Sequence, residues 1–263
     1  MKAISLLHPQ HRRTNNRLSI QQDLHKMPAP WIVLSDFDGT ISLSDVTDHV
    51  LAHLGTEGVS DLEEAWERGS IGSRECMRGQ IALLRATPEE LDDCIDDIVI
   101  DPDFAAFVQQ AEQQGIRVKV VSDGLDYAIH RILNRHGLNH LSVAANHLAY
   151  LGEDRWELQF PHAQAHCARA SGNCKCARLE QRHRLGERVL YIGDGTSDYC
   201  VSGSADFILA KDKLITFCQE QGLPYQAISG FGDAMEALSD FSGTNNMQDN
   251  SYQHPELSSG KYA

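Results

Sequence analysis

One stretch limits what this chain can become: Trp31-Ile-Val-Leu-Ser-Asp36-Phe-Asp38-Gly39-Thr40. The apolar run from Trp31 to Leu34 is too short for a helix and rich enough in Ile, Val and Leu for a buried strand. It ends in two carboxylates at i and i+2, so both leave the strand on one side. Gly39 permits the tight turn after it. In a parallel α/β sheet, ligands bind at the carboxyl ends of strands. Two acids placed there repel each other and lose hydration, so they need a cation or a shared proton. A hard divalent ion with oxygen ligands answers that need, and Mg²⁺ suits a phosphate substrate. Taken alone, the stretch also fits a turn whose aspartates merely cap it. The residues that end the later strands decide between the two.

After the opening strand, Asp45 to Leu54 has helical spacing (Val46, Val50, Leu51, Leu54) and stops at Gly55. Leu62 to Arg68, Arg74 to Leu84 and Thr87 to Ile98 also read as helices. Thr87-Pro88-Glu89-Glu90 is a start signal with a Thr cap, Pro at the first position and Glu three residues after the cap. About 55 residues of helix thus separate the first strand from the next α/β unit, whereas a crossover needs only about a dozen. This predicts a helical cap over the first strand's carboxyl end, where a lid would sit. Asp103 to Gly115 reads as a helix, Val118 to Val121 as a strand ending in Ser122-Asp123-Gly124, and Tyr127 to His136 as a helix. Leu141 to Phe160 alternates weakly, as a hairpin would. Val189 to Ile192 is a third buried strand, ending in Gly193-Asp194-Gly195-Thr196-Ser197-Asp198, and Asp206 to Leu209 a shorter fourth.

The expected fold is therefore α/β: a Rossmann-like core with a parallel sheet and helices on both faces, plus an inserted helical cap. The expected organisation is a flexible N-terminal extension over 1–29, the core over 30–44 and 101–238, the cap over 45–100, and a disordered polar tail over 239–263. With 263 residues and 41% apolar content, one large domain with an insert is the natural size class. The net charge of −14 argues against nucleic-acid and membrane partners. No apolar run is long enough to span a bilayer. The first 29 residues lack a long apolar core with a small-residue cleavage site, so no export signal is expected. Reduced thiols and a cytoplasmic location are the expectation for the seven scattered cysteines. Nothing bears on oligomeric state.

Three apolar strands each finish in residues fit for phosphate chemistry: Asp36 and Asp38, then Ser122, then Asp194 and Asp198. Parallel strands bring all three ends to one edge. A carboxylate there can act as nucleophile, a second can protonate the leaving group, and a hydroxyl with backbone N–H groups can hold phosphate oxygens. A lysine is still needed to offset the negative cluster.

With these motifs in order, the chain resembles the haloacid-dehalogenase-like (HAD) phosphohydrolases. Asp36-Phe-Asp38-Gly39-Thr40, Ser122 at a strand end, and Gly193-Asp194-Gly-Thr-Ser-Asp198 look like that family's motifs I, II and IV, over roughly residues 31 to 238. The resemblance implies Asp36 as nucleophile and Asp38 as general acid/base. It implies Mg²⁺ held by Asp36, the carbonyl of Asp38 and Asp194, with Asp198 supporting the site directly or through water. Ser122 and Gly124 match the phosphate-holding turn, and Lys175 is the choice for the motif III lysine. The second acid, Asp38, favours a phosphatase over a dehalogenase. The insert resembles the C1-type cap of the phosphoserine-phosphatase-like branch (subfamily IB). Within it, Pro161-His162 followed by a Cys-rich segment into Cys-Lys is similar to the 2-hydroxy-3-keto-5-methylthiopentenyl-1-phosphate phosphatase-like proteins. The implied activity is Mg²⁺-dependent hydrolysis of a small phosphorylated metabolite through an aspartyl-phosphate. Phosphoserine and phosphocholine or phosphoethanolamine are the alternative substrates, and a non-catalytic phospholigand-binding module is the alternative of another class. Ser-Asp-Gly at 122–124 departs from the family's usual Ser-Gly-Gly. Gln80 stands near the position of a cap arginine that binds the phosphoserine carboxylate, with Arg74 and Arg78 as substitutes.

Other residues have plainer expected roles. Asp123 and Asp126 read as solvent-facing or capping, and Phe37 as core. The acidic run Glu89 to Asp97 reads as a solvated helix face. His49 and His53 read as packed or solvated before substrate-reading. His162, His166, Cys167, Cys174 and Cys176 are zinc-ligand types, but Cys174 and Cys176 are only two apart and match no common spacing. Loop or buried thiols are the commoner role.

Overall fold

The computed structural model describes residues 29–167 and 169–242. The extension expected over 1–29 and the tail expected over 239–263 lie almost wholly outside the described residues. The chain runs β1 (Trp31–Ser35), α1 (Val46–Leu54), α2 (Val59–Glu67), α3 (Ser73–Ala82), α4 (Pro88–Asp96), α5 (Phe104–Gln113), β2 (Arg117–Leu125), α6 (Asp126–Arg135), β3 (Ser142–Gly152) and β4 (Arg155–Gln159). It continues through α7 (Lys175–Arg184), β5 (Arg188–Gly193), a 3-10 turn over Thr196–Asp198, α8 (Tyr199–Ser202), β6 (Phe207–Ala210), α9 (Asp212–Gln221), β7 (Tyr225–Ala227) and α10 (Phe231–Ser242).

The strands form one seven-stranded sheet in the order β4-β3-β2-β1-β5-β6-β7. β1 pairs in parallel with β2 on one side and β5 on the other. Only β4 runs antiparallel, against β3. The central strand is buried on both faces, as its unbroken apolar run requires. Val33 packs with Phe104, Phe107, Ile129 and Phe231 on one face. Ile32 and Leu34 pack with Val121, Leu179 and Tyr191 on the other. Helices therefore cover both faces, and the carboxyl ends of β1, β2 and β5 share one edge.

Helices α1 to α4 lie between β1 and α5. Asp45 caps α1, its carboxylate accepting from the Asp48 N–H at 2.9 Å. Thr87 and Glu90 cap α4 reciprocally, with Pro88 at the first position. The apolar sides of these helices (Val50, Ile81, Leu91, Ile95) join the main core cluster. The group also rests on the β3–β4 hairpin. The Trp156 indole donates to the Ala86 carbonyl at 2.9 Å, and the Arg78 guanidinium lies 5.0 Å from the Phe160 ring centroid. Among the described residues no helix is long and apolar enough to cross a membrane.

Three details differ from the sequence-based expectation. β2 does not stop at Val121 but continues to Leu125, with a register shift between Val121 and Leu125. Such an irregularity re-aims side chains locally, here around Ser122. The short β7 and the helices α9 and α10 carry no distinct sequence signal, and they complete the β6 side of the sheet. Finally, the polar tail expected from Ser239 begins too early: α10 runs to Ser242, and Phe241 is buried edge-on against Trp31 and Phe207.

Candidate active site

Asp36 comes directly after the last residue of β1, and its backbone N–H donates to the Ile192 carbonyl of β5 at 2.9 Å. The chain then turns sharply: the N–H groups of Thr40, Ile41 and Ser42 all point at the Phe37 carbonyl, at 3.3, 2.8 and 2.9 Å. Gly39 enables the turn with φ +72°. A Cβ on Gly39 would also lie 2.6 Å from Asp194 Oδ2, so only glycine lets the β5 carboxylate approach. The turn aims Asp36 and Asp38 at different partners.

Asp36 is buried, at 4% exposure, and its Oδ2 lies 2.6 Å from Lys175 Nζ. Ser197 Oγ donates to the same oxygen at 3.3 Å, and Oδ1 accepts from the Phe37 N–H at 2.8 Å. Lys175 opens α7 and is as buried as Asp36. Its ammonium also pairs with Asp198 Oδ1 at 2.6 Å and donates to Ser197 Oγ at 2.9 Å. Asp198 has no exposure and is surrounded by donors. Tyr191 Oη donates to Oδ1 at 2.5 Å, and the N–H groups of Asp194 and Gly195 donate to Oδ2 at 3.0 and 3.2 Å. Asp194 Oδ1 accepts from Thr40 Oγ1 at 2.7 Å.

Asp38 faces the β2 side. Its Oδ1 accepts from the Val46 N–H at the start of α1, 2.9 Å away, and its Oδ2 from Ser122 Oγ at 3.2 Å. Ser122 is fully buried and accepts in turn from the Gly124 N–H at 2.8 Å. A Cβ on Gly124 would come within 2.4 Å of Asp38 Oδ2. The chain thus brings Asp36, Asp38, Ser122, Gly124, Lys175, Asp194 and Asp198 to one sheet edge. Arg74, Arg78 and Gln80 have other partners. Arg74 Nε donates to the Ala170 carbonyl at 3.1 Å, and Gln80, buried inside the helical insert, donates to Glu63 at 2.9 Å.

The electrostatics separate the carboxyls. Burial raises Asp36 well above the ordinary carboxylate range; Lys175 opposes this, and Asp198 and Asp194 add to it. Burial also raises Asp194. For Asp198 burial is outweighed by Lys175 and by its hydrogen-bond donors, so its carboxyl sits below the ordinary range. For Lys175 burial is likewise outweighed, by Asp198 and Asp36, and the ammonium is held above its ordinary range. Desolvation, with Asp45 nearby, pushes the Asp38 carboxyl from 3.8 up to about 7. The Lys175 ammonium pairs with two of these carboxylates, Asp36 and Asp198, and Lys175 and Lys211 together offset part of the charge on Asp194. Asp36, Asp194 and Asp198 offer oxygens that all lie within 4.8 Å of one another. An all-oxygen set with excess negative charge fits a hard divalent cation. Asp198 is already enclosed by donors and an ion pair, which leaves Asp36 and Asp194 as the oxygens freest to face one.

Several contributors escaped the sequence-based expectation. Tyr191 looked like core within Val189 to Ile192, although a lone phenol in an aliphatic strand is a reason to seek its partner. Lys211 stands just past the end of β6 and donates to the carbonyls of Gly39 and Thr40 at 2.9 and 3.2 Å. The rule that strand ends converge would have flagged it. Asp123 is not solvent-facing. Its carboxylate accepts from Asn146 Nδ2 and the Asn173 N–H at 2.9 and 2.8 Å, tying β2 to β3 and to the approach of α7. Asp126 likewise ties α6 to β3, accepting from the Leu148 N–H at 2.9 Å.

Comparison with known proteins places this geometry. The model of the haloacid dehalogenase-like hydrolases matches residues 33–202. A curated 2-hydroxy-3-keto-5-methylthiopentenyl-1-phosphate phosphatase from an Exiguobacterium species is 27% identical over 204 residues, covering 76% of this chain and 94% of the relative. The polyol phosphate phosphatase PYP1 of Saccharomyces cerevisiae is 23% identical over 222 residues, covering 79% and 92%. Among solved structures, a substrate-bound phosphoserine phosphatase shares the fold with a TM-score of 0.61 at 20% identity, over 81% of this chain and 99% of that one.

Proposed function

Because the chain belongs to the haloacid dehalogenase-like hydrolase family, we propose that it is a Mg²⁺-dependent phosphomonoesterase working through an aspartyl-phosphate on Asp36. The observation that carries this reading is the contrast between two carboxyls two residues apart. Asp36 faces an ammonium and a further carboxylate, where a divalent cation would favour its ionised, nucleophilic form. Asp38 has only hydroxyl and amide partners and keeps its proton up to about 7.

In the proposed reaction, Asp36 Oδ attacks phosphorus as the ester P–O bond breaks, and the Asp38 proton passes to the leaving alkoxide. Asp38, now a carboxylate, takes a proton from water. The resulting hydroxide attacks phosphorus, the Asp36 O–P bond breaks, and inorganic phosphate leaves. Ser122, Gly124 and Lys175 hold the phosphoryl oxygens, and Lys175 also offsets charge on Asp36. A bound Mg²⁺, held by Asp36, Asp194 and the Asp38 carbonyl with Asp198 behind them, would neutralise charge on those oxygens. Thr40 and Lys211 hold the Asp194 side chain and the turn in register.

The substrate reading is a small phosphorylated metabolite. The curated relatives named for 2-hydroxy-3-keto-5-methylthiopentenyl-1-phosphate put that compound first, and the yeast relative puts polyol phosphates second. Phosphoserine is the alternative, although Gln80, near the position of the cap arginine that the resemblance assigns to its carboxylate, is buried and engaged by Glu63. The experiment is phosphate release from a panel of phosphate esters, with Mg²⁺ and with EDTA. Mg²⁺-dependent release supports the reading and ranks the leaving groups. No release from any ester by folded, Mg²⁺-loaded protein overturns it.

A further inference from the structure

Apart from the carboxylate edge, the helical insert brings three other metal-ligand types together. His49 and His53 stand at i and i+4 on one face of α1, with ring centroids 4.3 Å apart. Cys94 reaches them from α4, and the three residues each offer a ligand atom, all within 4.8 Å of one another. Linear spacing hides the third member, because Cys94 lies on another helix, inside the acidic run.

The local hydrogen bonding suits ligation. A carbonyl can only accept, so His53 Nδ1, 2.8 Å from the His49 carbonyl, carries the proton. That leaves Nε2 with the lone pair, and a backbone carbonyl on the far nitrogen is a usual support for a ligating histidine. His49 Nε2 is shut off from solvent and has no hydrogen-bond partner. Packing alone leaves that atom unsatisfied, a cost that coordination to a cation would remove. Cys94 is a free thiol, 9% exposed. His53 is exposed, so the cluster is open to water. It also stands in the last turn of α1, where the helix dipole favours positive charge.

Two imidazoles and a thiol make a mixed nitrogen and sulfur set that suits zinc, whereas the all-oxygen group of Asp36, Asp194 and Asp198 suits Mg²⁺. We propose that His49, His53 and Cys94 form a zinc site, with water in the fourth position. On binding, Cys94 gives its proton to solvent and its sulfur becomes a thiolate ligand. Both imidazoles bind neutral, so no oxidant or reductant is needed. The ion would clamp α1 to α4. Val46, the first residue of α1, donates its N–H to Asp38 Oδ1, and α4 is clasped to α6 through Arg131 and Arg135. Zinc would thereby steady the helix that supports Asp38.

The test compares the full-length wild type with His53→Ala and Cys94→Ser, each stripped with chelator and then held in saturating Mg²⁺ and a thiol-free reductant. Calorimetric titration with zinc should find one more tightly bound equivalent per chain in the wild type than in either variant. Zinc should raise the melting temperature of the wild type and leave theirs unchanged. Co²⁺ should give a thiolate-to-cobalt charge-transfer band that Cys94→Ser loses and Cys200→Ser, altered on α8 outside the cluster, keeps. If Cys94→Ser fails to fold, His53→Ala, changed at an exposed position, carries the comparison by titration and melting. Zinc bound as tightly by folded His53→Ala as by the wild type overturns the site. So does a cobalt band unchanged in folded Cys94→Ser, or a wild-type protein that takes up no zinc under these conditions.

Discussion

Two clusters of paired charges in this molecule look alike in outline and differ in surroundings. In the first, Lys175 bridges Asp36 and Asp198, with side chains exposed by 3%, 6% and 0%. In the second, Arg131 and Arg135 on α6 clasp Asp92 and Asp96 of α4, with Arg131 and Asp96 at 32% and 38%. Distances are the same in both, near 2.6 to 2.9 Å. Solvent makes the difference. The surface clasp gives up little hydration and gains little, as exposed pairs do. The buried bridge loses much hydration and sits among more carboxylates than ammonium groups, which does little for stability alone. Its arrangement makes sense as a receptor for added positive charge and a phosphoryl group. Close ion pairs therefore mark function here only where burial makes them costly.

The contrast can be broken in several ways. The largest effect is expected from Asp36→Asn, which should remove turnover altogether while the circular dichroism spectrum stays native; substantial phosphate release by that variant would end the nucleophile assignment. Asp38→Asn should lower kcat by about 10²–10⁴-fold. In the wild-type protein the Asp38 proton donor should make kcat/KM fall as pH rises through about 7. The same group has a stability signature. Its carboxyl stays protonated in the fold from 3.8 to about 7 while the unfolded chain ionises, so stability from Asp38 declines as pH rises across that window. Metal-free Asp38→Asn should show a flatter stability curve there by urea titration.

Next in size is Lys175→Met, which strands buried carboxylates without a counter-charge and should cost about 3–5 kcal/mol in metal-free protein. Added Mg²⁺ should recover part of that loss in a thermal melt. A cost under about 1 kcal/mol would put the buried bridge in the same class as the surface clasp. The smallest effect is expected from Asp96→Ala, about 0.5 kcal/mol at low salt and less as salt is added. Hydrogen bonding from Arg131 holds the Asp96 carboxyl below its ordinary range, so its small contribution is present near neutrality and disappears as pH falls through that lowered value.

Much of this contrast was legible in the sequence, for a physical reason. Strands such as Trp31 to Ser35 are buried on both faces, so their composition betrays them, and the carboxylates proposed as catalytic stand out where such runs stop. Lys175 could be chosen by its place between Ser122 and Asp194. Tyr191 and Lys211 left only indirect signals, a lone phenol and a place at a strand end, and the contribution of Asp123 could not be read, because each depends on a partner from another element. β7 pairs only through Tyr225, Gln226 and Ala227, too short a run for any pattern. The polar composition after Ser239 hid one buried ring, Phe241, which holds α10 to β1 and β6. Periodicity reports what a segment does with its own neighbours, and the missing parts of the site are held from elsewhere.

The close approach of Gly39 to Asp194 and of Gly124 to Asp38 has a consequence for how this site can be lost or remade. A mutational scan that tracked only charged and nucleophilic positions would treat both glycines as spacer. A single methyl at either would press on a carboxylate oxygen and push it out of line while every acidic residue stayed in place. Such a variant would read as complete by inventory and fail by geometry. Redesign of this site for a bulkier substrate therefore has to find its room in the helical insert, since these two backbone notches have none to give.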